Sequence, residues 1–469
     1  MWDDTIAAIA TPLGEGGLAV IRISGKTALS VADRVFVPVG KSSSKPSAAP
    51  SHTIQYGHAM RAGARVDEVL CAVLRAPRTF TREDVVELTC HGGILASKTV
   101  LDTVLECGAR LAQPGEFTQR AFLNGRIDLA QAEAVADLIH ARTGLALSAA
   151  NEQLAGKLSQ RINRLRDELM RTLAHIEAYL DFPEEDIAPD THAQLIGRLA
   201  GAIEWVTELL RTAPEGQLLR RGIRAAIIGR PNAGKSSLLN QLLGHDRAIV
   251  SHVPGTTRDT IEETANVRGI PVVFIDTAGL REVQDEIESE GVRRSRAALA
   301  RAELILHVLD ASEPLHEADA QLLREFAGKN RIVIRNKMDL PAQLILPPAV
   351  RSHATEETSV ESETTPLVDI SSKTGAGLEA LKEAIQAAVW SGRVTAETAQ
   401  VTINARHEDA LKRAKVSLQL ALDALRAEAS LEFVALDLRQ GINAIGEIVG
   451  KTTTEDLLDA VFSQFCIGK

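Results

Sequence analysis

The sequence lacks several features that would assign it to a specialised class of protein. It has no run of eighteen apolar residues, and residues 1–4 have neither the basic start nor the apolar stretch of a signal peptide. Its four cysteines form no CxxC pair, which argues against a disulfide framework or a structural zinc site. Its net charge is −10, so any contact with RNA requires a local basic patch. These absences predict a cytoplasmic protein with free thiols and no membrane association.

Residue patterning predicts several domains, and 469 residues suffice for about two to four. Residues 1–122 mix short β-like runs with Gly and Pro turns, which predicts an N-terminal α+β domain. Residues 123–220 and 391–469 carry Ala, Leu, Gln and Glu at helical spacing. Between them, residues 221–390 alternate β-branched runs with amphipathic stretches, which is typical of a parallel sheet wrapped by helices. We therefore expect an α/β domain inserted into, and protruding from, one helical bundle.

The expected strands and breaks follow from the same patterns. The β-like runs cover 17–23, 67–74 and 85–89 in the first domain, and 224–229, 271–276, 304–310, 331–336 and 367–371 in the inserted domain. A loop is expected at 41–50, a helix break at 181–183, a surface excursion at 341–366 and a return to helix from about residue 405.

Residues 229–236 fit the pattern GxxxxGK(S/T) between a β-like run and an apolar helical stretch. Glycines at 229 and 234 let backbone N–H groups close around a phosphate, and Lys235 reaches the outer phosphates. Ser236 is placed to ligate Mg²⁺. The alternative is a Gly-rich turn with an incidental lysine. The predicted nucleotide contacts here are Asn232, Ala233, Gly234, Lys235, Ser236 and Ser237.

Three further elements follow in the order that a GTP site requires. Asp276, Thr277, Ala278 and Gly279 end an apolar run, where Gly279 can offer its N–H to the terminal phosphate. A later strand leads to Asp339, whose carboxylate can accept hydrogen bonds from N1–H and the 2-amino group of guanine. Adenine lacks both donors, so the base is predicted to be guanine. A loop behind the base has serine in the middle, where alanine is commoner. These last two elements comprise Asn336, Lys337, Asp339, Ser371, Ser372 and Lys373.

The stretch between the first two elements predicts the second Mg²⁺ ligand. A threonine hydroxyl there can complete the metal shell while the terminal phosphate is present, a role we assign to Thr257, with Thr256 as the alternative. The residue after Gly279 is Leu280, where GTPases of the Ras type use a glutamine to orient water. Hydrolysis therefore needs a replacement from the polar stretch 281–288, and spacing does not choose among its residues.

These motifs together resemble the family of tRNA modification GTPases called MnmE or TrmE, in the TrmE-Era-EngA-YihA-Septin-like GTPase superfamily. The resemblance covers the whole chain. Outside the GTPase elements it rests on residues 10–12, 22–25, 87–93, 114–117 and 120–126 and on the terminal Cys-x-Gly-Lys of 466–469.

The resemblance implies a K⁺-dependent GTPase in a homodimer formed through the N-terminal domain. Its G domains would pair during the GTP cycle, with K⁺ acting where other systems use an arginine finger. By motif position the nucleotide and K⁺ contacts extend to the loop 251–256, and Glu288 positions the attacking water. Read from the residues alone, Glu288 is one of several nearby acids. The implied K⁺ ligands are Asn232, Ser251, Val253 and Thr256; Ser251 and Thr256 also contact GTP.

The resemblance also implies a reaction on tRNA. With an MnmG (GidA)-type partner that carries the FAD, the family adds an aminomethyl or carboxymethylaminomethyl group to C5 of the wobble uridine. The one-carbon unit comes from 5-formyl-tetrahydrofolate, whose implied contacts are Arg22, Glu87, Arg126 and Lys469. Without the resemblance, each of these four is more simply a surface ion-pair residue. Relatives often carry lysine at the position of Arg126.

Two residues with reactive side chains have open roles. Cys466 is either a nucleophile towards the uridine or the one-carbon unit, or a small buried residue in the last helix. His91 is interpreted as structural.

Two other functions of the whole protein also remain open: a switch GTPase of RNA or ribosome assembly without modification activity, and a scaffold that binds GTP with negligible hydrolysis. Acidic residues outnumber basic ones in 394–469, which disfavours an appended RNA-binding module.

Overall fold

A computed structural model describes residues 3–40, 44–181, 192–246, 263–275, 299, 301–347, 365–390 and 402–469. Within these ranges the chain forms a mixed sheet near the N-terminus, a bundle of helices, and a second sheet formed by strands between residues 223 and 369. No helix in the described ranges has the length and apolar composition needed to cross a membrane.

The N-terminal sheet has the strand order β3-β4-β5-β6-β2-β1-β7 and is antiparallel except for the β1–β7 pair. Alternation along the strands buries one face against α1 and α2, where Ile21, Leu88 and Val73 lie in the core. The opposite face carries Arg22 and Glu87 side by side. The elements are β1 (Ile6–Ile9), β2 (Leu18–Ser24), α1 (Ala28–Val35), β3 (Phe36–Pro38), β4 (Thr53–Arg61), β5 (Ala64–Leu74), β6 (Val85–His91), α2 (Ile94–Glu106), β7 (Arg110–Leu111) and α3 (Glu116–Leu123).

The helical part draws its helices from both sides of the second sheet. One hydrophobic core joins the long helices before it to those after it, as in an antiparallel bundle. Capping boxes at Asp128 and Asn404 satisfy backbone N–H groups where helices begin. The elements are α4 (Leu129–His140), α5 (Gly144–Leu154), α6 (Lys157–Asp181), α7 (His192–Leu210), α8 (Ala213–Arg221), and, after the second sheet, α12 (Ala405–Arg426), α13 (Leu431–Val449) and α14 (Glu455–Phe462).

The second sheet has the order β13-β12-β11-β8-β10-β9. Every neighbouring pair is parallel except β10–β9 at one edge. The central strand β11 is buried along its whole length, as expected for a sheet covered on both faces. The elements are β8 (Ile223–Ile228), α9 (Lys235–Asp246), β9 (Glu263–Val267), β10 (Ile270–Phe274), β11 (Leu304–Asp310), α10 (Glu317–Glu325), β12 (Arg331–Asn336), β13 (Leu367–Asp369) and α11 (Leu378–Val389).

The predicted fold class is confirmed: an N-terminal α+β domain, a helical domain, and a Ras-like α/β P-loop domain inserted into the helical one. Every β-like run named from the sequence contains a strand. The expected parallel sheet is present in five of the six described strands, and the edge strand β9, which the sequence did not indicate, runs antiparallel to β10. A tight turn at Arg268 and Gly269, both with positive φ, joins the two strands and reverses the chain.

Candidate functional site

The loop between β8 and α9 has the backbone geometry of a phosphate-binding loop. Gly229, Asn232 and Gly234 all have positive φ, at 144°, 63° and 98°. A Cβ on Gly229 would stand 2.2 Å from the carbonyl oxygen of Val308 in β11. Only glycine therefore lets this loop lie against the neighbouring strand. Gly234 accepts the bond from the Leu238 N–H that opens helix α9, 2.9 Å away.

Lys235 lies across this loop. Its ammonium donates to the carbonyl oxygens of Gly229 at 2.9 Å and Arg230 at 2.7 Å. Burial lowers the pKa of Lys235 from its ordinary value. A phosphate oxygen is a stronger partner for this ammonium than a loop carbonyl, because donor and acceptor then carry opposite charges. The ammonium is thus positioned to bind an anion inside the loop.

Asn336 ties this loop to two others. Its side-chain N–H donates to the carbonyl oxygen of Ala233 at 2.9 Å, and its side-chain oxygen accepts from the N–H of Ser372, also at 2.9 Å. The side chain is buried, and a Cβ on Gly234 would stand only 2.0 Å from its Nδ2 atom. One amide therefore sets the spacing between the phosphate loop, the end of β12 and the loop after β13.

Asp339 is exposed and fixed by the loop after β13. The hydroxyl of Ser371 donates to its Oδ1 atom at 2.6 Å, while the N–H of Thr374 donates to that hydroxyl at 3.2 Å. The bond from Ser371 lowers the pKa of Asp339, and the positive charge of Lys373 acts in the same direction. The group is a carboxylate at neutral pH, presented to solvent beside Lys373.

Lys337 has positive φ, at 66°, and its ammonium lies 2.5 Å from a carboxylate oxygen of Asp310, the last residue of β11. Burial by itself would raise the pKa of Asp310, but hydrogen bonds from Lys337 and Ser312 outweigh it and lower the pKa. The sequence interpretation missed Asp310. It ends a strand that is buried along its whole length, and Asn336 likewise stands at a strand end.

Part of the predicted site lies outside the described residues: Ser251, Val253, Thr256, Thr257, Asp276, Thr277, Ala278, Gly279, Leu280 and Glu288. Within the described ranges, no group of three or more His, Cys, Asp or Glu side chains is arranged to hold a metal ion. Ser236 and Ser237 open helix α9 directly after Lys235.

A second group of predicted residues meets on the N-terminal sheet. Arg22 donates from Nε to Glu87 at 2.7 Å, and from a terminal nitrogen to the carbonyl oxygen of Gly468 at 3.3 Å. The guanidinium of Arg22 lies 5.7 Å from the ring centre of Phe117, whose N–H donates to the carbonyl oxygen of Lys469 at 3.2 Å. The end of the chain is therefore docked against these residues.

Arg126 lies beside the same cluster. Its guanidinium is 5.6 Å from the ring centre of Phe80 and donates to the carbonyl oxygen of Thr79 at 3.0 Å. Phe80 packs against the small core that contains Phe117.

Cys466 is exposed and lies beyond helix α14, so the alternative that it is a buried residue of the last helix was wrong. An isolated antiparallel bridge pairs Ile467 of the tail with Pro114, just before α3.

His91 and the other cysteines are placed differently. His91 is exposed and its ring and backbone N–H both contact Asp67, which raises the pKa of His91 through that hydrogen bond. Burial raises the pKa of Cys71 to about 12 and that of Cys90 to about 11, so both remain protonated thiols at neutral pH. Cys466 is thus the exposed thiol of the chain.

A phosphate loop, an Asn-Lys-Met-Asp turn and a serine loop at one edge of a Ras-like sheet define a GTP-binding P-loop protein. Comparisons with known proteins identify the family to which the chain belongs within this class. Residues 129–466 match the family model of the MnmE helical domain, and residues 5–126 match that of the GTP-binding protein TrmE N-terminus.

The chain belongs to the family of tRNA modification GTPases MnmE. It is 47% identical over 470 aligned positions to the tRNA modification GTPase MnmE of Bacillus velezensis, covering 99% of this chain and 100% of that protein. Identity to the Bacillus subtilis protein of the same name is 46%, over 99% of this chain and all of the relative. A crystal structure of Aquifex aeolicus Era is 26% identical over 42% of this chain and 67% of its own, with a TM-score of 0.25. This chain is therefore an enzyme that hydrolyses GTP and acts in tRNA modification.

Proposed function

We propose that this GTPase is K⁺-dependent and works with an MnmG-type FAD protein on the wobble uridine of certain tRNAs. The product would carry an aminomethyl or carboxymethylaminomethyl group at C5. One observation carries the nucleotide part of the proposal: the Asn336 amide joins the phosphate loop to the loop beside Asp339, with both bonds at 2.9 Å. The tRNA part is supported by full-length relatives that are named tRNA modification GTPases.

GTP binding is assigned to the three joined loops. The Lys235 ammonium would exchange two loop carbonyls for phosphate oxygens, and the dipole at the start of α9 would stabilise the same charge. Asp339 accepts from Ser371 at one oxygen, and a carboxylate has about four lone-pair sites, enough for both donors of guanine. Lys337, held by Asp310, would lie against the base.

The ions would be held by oxygen donors around the phosphates. Mg²⁺ would take the hydroxyls of Ser236 and Thr257, and would neutralise charge on the phosphates when bound. K⁺ would take Asn232, Ser251, Val253 and Thr256. The neutral amide oxygen of Asn232 suits a hard monovalent cation, and the left-handed backbone at this residue lies inside the phosphate loop. Glu288 would orient the attacking water in place of the missing glutamine.

The one-carbon donor would bind at the N-terminal sheet under the tail. Glu87 can read the amino edge of a pterin, while Arg22 and Arg126 can neutralise a glutamate tail. The close packing of Arg22 with Glu87, Phe117 and the tail supports this assignment, because charged groups are joined there to aromatic surface. Lys469 adds a further cation at the chain end. Cys466 would act beside them as a nucleophile.

A homodimer through the N-terminal domain is supported by the open face of its sheet. This face carries large apolar side chains in the positions that alternate with the core, and Arg22 and Glu87 lie on the same face. Burying such a surface against a second copy would be favourable at about 25 cal/mol per Å². The exposed apolar residues are Leu18, Ile54, Tyr56 and Leu70, each at least 44% exposed.

Wobble-uridine analysis of tRNA from cells lacking this protein tests the proposal. Unmodified C5 is expected, and restored modification by the intact chain confirms the assignment. Normal modification without the protein would support an assembly-switch GTPase instead. Turnover in KCl against NaCl tests the ion: equal rates would exclude K⁺ dependence. Asp339→Asn should abolish the preference for guanine, with retained selectivity contradicting the role of that carboxylate.

A further inference from the structure

A groove of about 750 Å³ lies between helices α6 and α7, on the outside of the bundle and apart from both sites above. It exists because the two helices pack on different partners: α6 lies mainly against α13, and α7 mainly against α12. Its floor is formed by Leu165, Leu169 and Ala202, which belong to the bundle core. Its rim is formed by polar side chains.

The rim is strongly basic although the whole chain is acidic. Arg161, Arg164 and Arg171 come from α6 and Arg198 from α7, and all four are exposed. Glu168 is the one carboxylate among the described lining residues, and it pairs with Arg164 at 3.4 Å. The local excess is therefore positive in a protein of net charge −10. Such a patch attracts an anionic partner that the rest of the surface repels.

The arginines are spaced for a polymer rather than a single anion. Positions 161, 164 and 171 recur on one face of α6, and at 1.5 Å per residue they span about 15 Å along the helix axis. That length faces several successive phosphates of a nucleic-acid strand. Arginine forks match phosphate oxygens in geometry as well as charge.

The wall contributed by α7 admits close approach. Gly197 and Gly201 are exposed one turn apart, and a Cβ on either would meet no atom within 4 Å. Trp205, one further turn along, is half-buried in the same wall and offers a ring to an unstacked base or a ribose. An open basic channel with an aromatic side chain fits RNA better than an acidic peptide, which has no bases to stack.

We propose that this groove is the docking surface for the sugar-phosphate backbone of the tRNA. The inference rests on the proposed function, which makes tRNA the molecule that the chain must hold. A chain of net charge −10 needs a local basic patch to bind RNA, and this inference places that patch in the helical domain. The four arginines position the tRNA and take no part in GTP hydrolysis.

Purified full-length protein and unmodified tRNA transcript provide the test. The double variant R161Q/R171Q keeps the Arg164–Glu168 pair and removes two phosphate contacts. We expect its affinity for tRNA to fall about tenfold at about 0.1 M salt, and the slope of log K against log salt to fall by about 1 to 2. GTP turnover without tRNA should be unchanged. E168Q, which removes the opposing charge, should bind tRNA severalfold more tightly.

The matched control is R65Q/R324Q, in which two exposed arginines are lost from the N-terminal sheet and the inserted domain rather than from the helical bundle. If groove and control variants bind tRNA equally, the groove inference is overturned while the proposed function stands. If the groove variant keeps its affinity for tRNA but no longer binds a protein partner, the groove inference is also overturned. The groove would then be a protein-docking surface. If the unaltered chain binds no tRNA, the groove inference also fails, whereas the proposed function fails only if the wobble uridine is modified normally in cells lacking the protein.

Discussion

Replacement of Asn336 by alanine removes the side chain that joins the phosphate loop to the loops around the base. The substitution breaks two buried bonds and leaves the carbonyl oxygen of Ala233 and the N–H of Ser372 without those partners. A typical neutral hydrogen bond contributes about 1 kcal/mol, and an unsatisfied buried group costs about 1–3 kcal/mol. We therefore expect the free energy of unfolding to fall by about 2–4 kcal/mol.

Nucleotide affinity should fall as well, because the loops would no longer be held in register before GTP arrives. The upper limit is the whole of that energy, about 2–4 kcal/mol or roughly 30- to 1,000-fold in Kd. Titration of a fluorescent GDP analogue measures the affinity, and urea unfolding followed by circular dichroism measures the stability.

Asn330 offers a matched control in the same domain. Its side chain is exposed and makes one bond, to the carbonyl oxygen of Ala388 at 3.2 Å, so Asn330→Ala should change stability by less than about 1 kcal/mol. If Asn336→Ala stays folded and binds nucleotide within threefold of the unaltered chain, the coupling between the loops is not carried by this amide.

Three further substitutions test neighbouring features. Gly234→Ala would place a Cβ 2.0 Å from Asn336 at a positive φ, and should weaken GTP binding at least tenfold; Gly244→Ala, in α9 with open space around it, should not, and equal affinities would refute the steric argument. Ser372→Ala removes a buried hydroxyl that has no partner among the described residues, and thermal unfolding should show about 1 kcal/mol of added stability rather than a loss. Burial lowers the pKa of His307 to about 4, below its ordinary 6.5, so its contribution to stability is complete above pH 6.5 and is lost as pH falls towards 4. His307→Leu should therefore lose about 2 kcal/mol less than the unaltered chain between pH 7 and pH 5 in urea unfolding, and parallel pH profiles would contradict this.

The sequence was sufficient for features that depend on local pattern. The inserted domain could be predicted because β11 and β12 are short runs rich in branched apolar residues that end at Asp310 and Asn336. The sequence also drew attention to the serine at 372, where alanine is commoner, and in the structure its hydroxyl is buried without a described partner.

Features that depend on distant packing could not be predicted in this way. The edge strand β9 has polar Glu263, Thr264 and Asn266 among its five residues, so it gave no apolar run. The Asn336 bridge joins residues 103 and 36 positions away, which no spacing rule contains. The tail beside the exposed Cys466 pairs through Ile467 with Pro114, some 350 residues earlier in the chain, which no local pattern indicates.

Gly468 shows how the bundle and the N-terminal sheet depend on each other. Phe462 at the end of α14 and Phe465 just after it share a core cluster with Leu129 and Ala132 of α4, and the tail continues from there to β1. At Gly468, φ is 98° and a Cβ would stand 2.4 Å from the carbonyl oxygen of Ile9. Gly468→Ala must therefore move the tail, and with it the carbonyl that accepts from Arg22.

We expect Gly468→Ala to abolish wobble-uridine modification in complemented cells while GTP turnover remains within about twofold, since the G-domain loops make no contact with the tail among the described bonds. Gly63→Ala is the matched control, because Gly63 has a similar φ of 82° but open space where the Cβ would lie. Backbone strain is then common to both variants, and only the collision differs. Modification at the normal level in the Gly468 variant would show that the docked tail is not required for the reaction.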